Sequence, residues 1–150
     1  MGCVSCNCRG LRNPPTVQVL ADIVSTYRPS IVFLMETLTR LPKMKSIRRT
    51  LGFQHVFSVD CVGRSGGLAL LWKDDYDITV ESSSWNHIDV QVTGGLSQLT
   101  WRLIGFYGCP ESDRRRASWE LVKELADCSD LSWLVVGDFN DIMQEHEKRG

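Results

Sequence analysis

The spacing of apolar positions changes period several times along this chain, and each change marks an element. Val17, Leu20, Ala21, Val24 and Tyr27 recur at helical spacing. Asn13 is placed to cap that helix with Pro14 at its first position, and Pro29 ends it. Met44, Ile47 and Leu51 share one face of a second helix over Lys43–Leu51, closed by Gly52. Ile31–Met35 is apolar at every position, as in a strand buried on both faces. Gly2–Asn7, Phe53–Val59, Gly67–Lys73 and Asp77–Ser82 also read as strands. His87–Val92 alternates, with Ile88, Val90 and Val92 on one face. Gly94-Gly95 supplies a hairpin turn, and Leu99, Trp101 and Leu103 continue into a strand that runs to Tyr107. A helix over Arg114–Asp127 and a strand over Leu131–Gly137 complete the series. Helices near both ends of a strand-rich middle predict an α+β or layered α/β domain with mixed sheets.

Composition narrows this picture slightly. The 150 residues allow one domain, and 43% hydrophobic content supports a packed core. A net charge of −1 exerts no global pull on nucleic acid or on an anionic membrane. No apolar run approaches the roughly 20 residues that span a bilayer. The start of the chain fits neither a secretory signal nor the myristoylation pattern, since Cys6 stands where Ser or Thr belongs. The expected location is therefore intracellular. Cys3, Cys6 and Cys8 lack a second Cys/His pair at zinc-finger spacing and read as reduced, packed thiols, like Cys61, Cys109 and Cys128.

Two strands end in oxygen donors. Trp133–Gly137 leads into Asp138-Phe139-Asn140, and Ile31–Met35 leads into Glu36. Carboxylates delivered on rigid strands are the means by which a fold builds a hard-cation site. Taken singly, these residues have plainer readings. Glu36 fits a strand-end charge, Asp138 and Asn140 fit a turn, and Tyr107 fits a packed aromatic. The five tryptophans are expected in the core, and His87 and His146 on the surface or in loops. The cationic runs Arg114–Arg116 and Lys43–Arg49 are expected on solvated faces.

Five strings in order tip the balance toward a site. They are Ser5–Leu11, Phe33–Thr37, Ser65–Ala69, Gly105–Gly108 and Val136–Asn140. Together they resemble the endonuclease/exonuclease/phosphatase superfamily. Asn7–Leu11 and Trp101–Gly108 are similar to the apurinic-type endonuclease domain of plant LINE-type (non-LTR) retrotransposons. The resemblance implies a DNase I-like fold, a four-layer sandwich of two mixed β-sheets flanked by helices. It implies a phosphodiester hydrolase using Mg²⁺ (or Mn²⁺), with DNA as partner and a nuclear location if it acts there. No organic cofactor and no membrane are implied. By position, Glu36 matches the metal-binding glutamate, and Asn7 the asparagine that orders the metal region. Tyr107 matches a tyrosine on the scissile phosphate. Asp138 matches the aspartate that orients the attacking water, and Asn140 an asparagine that binds the phosphate. The chemistry suits these types: Mg²⁺ takes hard oxygens, and Asn and Tyr donate to a phosphate without adding charge.

The resemblance also carries expectations of absence. Relatives use a later Ser-Asp-His triplet, whereas His55, His87 and His146 lie in unrelated contexts. The chain thus reads as the N-terminal part of one such domain over residues 1–150, incomplete at the C-terminus. Activity is expected to be weak or absent, since losing one general acid or base costs about 10²–10⁴ in rate. The alternatives are a non-catalytic remnant with weak metal or nucleic-acid binding, and a superfamily phosphatase or deadenylase acting on another phosphate ester.

Overall fold

The computed structural model describes residues 2–12, 14–63, 65–95, 98–108, 120, 123–124 and 131–138. The elements in chain order are β1 (Cys3–Asn7), α1 (Pro14–Tyr27), β2 (Ile31–Met35), α2 (Leu41–Leu51), β3 (His55–Val59), β4 (Leu68–Trp72), β5 (Tyr76–Ser84), β6 (His87–Gly94), β7 (Thr100–Tyr107) and β8 (Trp133–Asp138). Two mixed four-stranded sheets result. The first has the order β1-β2-β4-β3 and the second β5-β6-β7-β8. Each contains one parallel pair, β1 with β2 and β7 with β8. The expected sandwich of two mixed sheets is the architecture observed.

Burial explains why β2 is apolar throughout. Its residues Val32 and Leu34, with Ala69 and Leu71 of β4, meet Leu20 of α1 and Met44, Ile47 and Leu51 of α2. Its alternate residues Ile31, Phe33 and Met35, with Leu68 and Leu70, meet Ile88, Val90, Val92 and Leu103 of the second sheet. One face of the strand serves the helix layer and the other the inter-sheet core, so no position is left for water. All five β2 residues are at most 2% exposed. Full burial of one such side chain stabilises by roughly 1.5–3 kcal/mol.

Several expectations need amendment. Helix α2 begins at Leu41, before Lys43, with Pro42 in its first turn where no backbone N–H is missed. Phe53 is buried but precedes β3. The turn between β6 and β7 is wider than Gly94-Gly95, because pairing resumes only at Thr93↔Thr100. The tryptophans are not uniformly core. Trp72 is buried and Trp101 packs against the inter-sheet core. Trp85 and Trp133 are 49% and 47% exposed. His87 is a buried strand residue, not a surface one. The Asn13 cap, Trp119, His146, Cys109, Cys128 and Arg114–Arg116 lie outside the described residues. Of the helix expected there, Glu120, Lys123 and Glu124 are helical.

Candidate active site

Parallel pairing brings the relevant strand ends together. In the first sheet Asn7 is in register with Met35, so β1 and β2 finish at the same edge and Glu36 follows at once. In the second sheet Tyr107 is in register with Asp138. The two sheets stack so that these edges coincide. Tyr107, whose Oη lies 2.5 Å from Glu36 Oε1, donates a hydrogen bond to that carboxylate across 71 positions of sequence. Asn7, Glu36, Tyr107 and the backbone of Asp138 thus gather at one end of the sandwich. Asn140 lies outside the described residues.

The backbone at this end is held in costly shapes. Glu36 and Leu38 adopt φ of 50° and 54°, and Arg9 adopts 49°. Left-handed conformations at such residues cost on the order of 1–3 kcal/mol each and persist only where neighbours enforce them. Here two loops are laced to each other. Gly10 N–H donates to Glu36 C=O at 2.8 Å, and Leu11 N–H to Thr37 C=O at 2.9 Å. On the far side, Thr37 and Leu38 donate to Gly67 and Gly66 carbonyls at 3.1 and 3.0 Å. Gly67 has no room for a side chain, since a Cβ would stand 2.3 Å from Thr37 Oγ1. The close approach is confined to Gly67, since a Cβ at Gly66 would meet nothing within 4 Å. Gly137, directly before Asp138, has φ of 138°, and a Cβ there would lie 1.8 Å from Phe106 O. Glycine is required at 137 for β8 to deliver Asp138 beside Tyr107.

The donor set is one of hard oxygens. Glu36 contributes a half-buried carboxylate, with one oxygen taken by the Tyr107 hydroxyl. Asn7 Oδ1 accepts the Arg9 N–H at 3.1 Å, which fixes the amide beside the carboxylate loop. Among the described residues no group of three or more His, Cys, Asp or Glu side chains converges. One carboxylate with neutral oxygens suits Mg²⁺ or Mn²⁺, which retains waters and leans on a substrate phosphate, and does not suit zinc. Cys6 and Cys8 flank Asn7. The Cys8 thiol's hydrogen bond pulls Cys6 down to about 7 against the opposing effect of burial, while the same bond and burial push Cys8 up. Burial alone raises Cys3 to about 11. The described cysteines are free thiols, as expected from the sequence.

Neither described histidine reaches this end facing inward. His55 pairs with Trp72, as does Ile31, so it lies at the opposite end of the first sheet, roughly 13 Å along the strand from Met35. It stacks on Trp72 and its Nε2 lies 2.6 Å from Asp74 Oδ1. His87 pairs with Phe106 near the candidate site but sits on the outer face of the second sheet. There Ser82 and Ser84 hydroxyls bracket its two ring nitrogens at 3.0 and 2.5 Å. Desolvation holds the His87 pKa below its usual range against the pull of Asp89. Asp89 itself is engaged by Arg102 through two hydrogen bonds of 2.7 and 2.5 Å. The sequence reading missed this buried pair. The hairpin register held the signal, because Asp89 opposes Ile104 and so lies diagonal to Arg102 on one face.

Known proteins agree with this architecture. The endonuclease domain of TRAS1, a telomere-specific non-LTR retrotransposon, superposes with a TM-score of 0.68 at 17% identity, over 94% of this chain and 61% of that one. A humanized D. rerio TDP2 gives 0.71 at 16% identity, over 98% and 69%. The mannosyl-6-phosphatase Bt3783 of Bacteroides thetaiotaomicron gives 0.66 at 16%, over 91% and 64%. The chain thus spans about two thirds of these structures, and only 48% of a C. elegans TDP2. No curated protein matches it. At these identities the likeness concerns the fold. The model of the endonuclease/exonuclease/phosphatase family matches residues 4–150, nearly the whole chain, and the protein belongs to that family.

Proposed function

We propose that this chain is a divalent-metal-dependent phosphodiester hydrolase domain of retroelement ancestry, directed at DNA, with weak turnover on its own. The observation that carries the reading is the Tyr107–Glu36 hydrogen bond, which joins the ends of two sheets at the strand termini where Asn7 and Asp138 also lie. Glu36 would hold Mg²⁺ or Mn²⁺, with Asn7 ordering the loop beside it. When bound, the metal supplies positive charge for a phosphoryl oxygen, worth several kcal/mol in the transition state.

The chain's own groups have distinct tasks. The Tyr107 hydroxyl orients the Glu36 carboxylate and donates toward a phosphate oxygen once substrate enters. Asp138, at the end of β8, accepts a proton from the attacking water. Asn140 donates to the phosphate without adding negative charge. The retroelement ancestry rests on the strings Asn7–Leu11 and Trp101–Gly108.

A second reading is a metal- and DNA-binding remnant without turnover. It is favoured by the positions of His55 and His87, neither of which faces the Glu36–Tyr107 pair. Nicking of supercoiled plasmid in Mg²⁺ decides between them. The hydrolase reading predicts slow, metal-dependent nicking that both Glu36→Gln and Asp138→Ala abolish. Nicking by the variants at the parent rate would overturn it. No nicking, with salt-sensitive DNA binding retained, would favour the remnant.

A further inference from the structure

The hairpin joining β5 and β6 has two residues at its tip, Trp85 and Asn86. Asn86 is 4% exposed, whereas Trp85 is 49% exposed. Turn chemistry gives no reason for an indole here, since tips of this kind favour Asn, Gly and Asp. The tip also has a defined place in the molecule. Tyr107 N–H donates to Asn86 C=O at 2.8 Å, so the tip continues the second sheet beside the tyrosine whose hydroxyl meets Glu36.

The tip is rigid as well as well placed. Asn86 N–H donates to Ser84 Oγ at 3.3 Å, and Ser84 Oγ lies 2.7 Å from Asn86 Oδ1. Ser84 Oγ also meets His87 Nδ1, and His87 Nε2 meets Ser82 Oγ. This network fixes the strands on both sides of Trp85. An aromatic side chain with two rotatable bonds on a fixed turn loses little entropy when something stacks on it. An exposed ring on a hairpin tip bonded to the Tyr107 backbone suits the flat face of a nucleobase, and base–aromatic stacking tolerates any base identity.

We propose that Trp85 is a nucleobase-stacking platform at the rim of the Glu36–Tyr107 site, engaging a base next to the phosphate held there. The inference rests on the phosphodiesterase reading and sharpens it: the substrate presents a base beside the phosphate, as a polynucleotide does.

The test measures binding of short fluorescein-labelled oligonucleotides by anisotropy, with Ca²⁺ in place of Mg²⁺ to prevent cleavage. Mn²⁺ binding is followed in parallel. Trp85→Ala should weaken oligonucleotide binding roughly 5–100-fold, and Trp85→Phe should recover most of it. Mn²⁺ affinity and the circular-dichroism melt should not change in either variant. With an abasic spacer moved along the oligonucleotide, the difference between parent and Trp85→Ala should vanish at one register, where no base remains to stack. Equal binding by parent and Trp85→Ala would overturn the stacking site and leave the hydrolase reading intact. Mn²⁺ binding with no oligonucleotide binding even at low salt would overturn the stacking site together with the DNA-directed part of the hydrolase reading. Loss of both Mn²⁺ and oligonucleotide binding in the parent would remove the site itself, and this inference with it.

Discussion

Two carboxylates in this fold are held on opposite principles. Asp89 and Arg102 lie on the outer face of the second sheet, with side chains 3% and 5% exposed. They meet fork to fork, and Ser82 Oγ adds a bond to Asp89 at 3.4 Å. At the strand ends, Glu36 is half-buried, its described partner is the neutral Tyr107 hydroxyl, and its backbone is left-handed. The first carboxylate is neutralised by a cation and held on regular strand. The second has no cationic partner among the described residues and sits on a loop that other loops must hold in place. A satisfied charge serves folding, while an unsatisfied one on enforced backbone is available for a ligand.

The comparison breaks most visibly at Arg102. Arg102→Met strands the Asp89 carboxylate in the interior and is expected to cost about 3–5 kcal/mol. That lowers the melting temperature by roughly 10 °C, with Mn²⁺ binding unchanged in the protein that remains folded. The double variant Asp89→Leu/Arg102→Met should recover most of that loss, because no buried charge is left alone. Melts of the single and double variants that coincide would mean the pair is not a coupled unit. Tyr107→Phe removes one hydrogen bond to a partly exposed carboxylate. It should cost about 1 kcal/mol in urea unfolding and weaken Mn²⁺ binding through loss of Glu36 orientation.

The smallest expected effect is a pH dependence. Burial holds His87 below its unfolded value of 6.5 in the folded protein, against the opposing pull of Asp89. Protonation therefore favours the unfolded chain. The contribution is complete above pH 6.5 and is lost as pH falls through the lower folded value. Melts between neutral and mildly acidic pH should show this decline, and His87→Gln should flatten it.

Much of this was legible in the sequence because burial writes directly on periodicity. β2 serves two cores and is apolar at every position. β6 serves one core, and its alternation is equally plain. The reading failed where a polar residue is buried by pairing across strands. His87 and Asp89 look like the wet face of β6, and only the register with β5 and β7 reveals Ser82, Ser84 and Arg102 beside them. Trp85 failed for the converse reason, since hydrophobicity alone assigns an indole to the core. Glu36 and Tyr107 were named from ordered motifs. Their contact depends on two sheets stacking with matched edges, which no local pattern encodes. The glycines at 67 and 137 stood in those motifs, but the atoms that forbid a side chain there come from Thr37 and Phe106.

The most direct test of the account is Mn²⁺ binding followed by electron paramagnetic resonance on the parent chain and on Glu36→Gln. Gln preserves the volume and the acceptor for Tyr107, so the melt should move by less than about 1 kcal/mol. The account predicts one weak Mn²⁺ site in the parent and its loss in the variant. Equal Mn²⁺ binding by both would contradict the assignment of this carboxylate as the metal anchor.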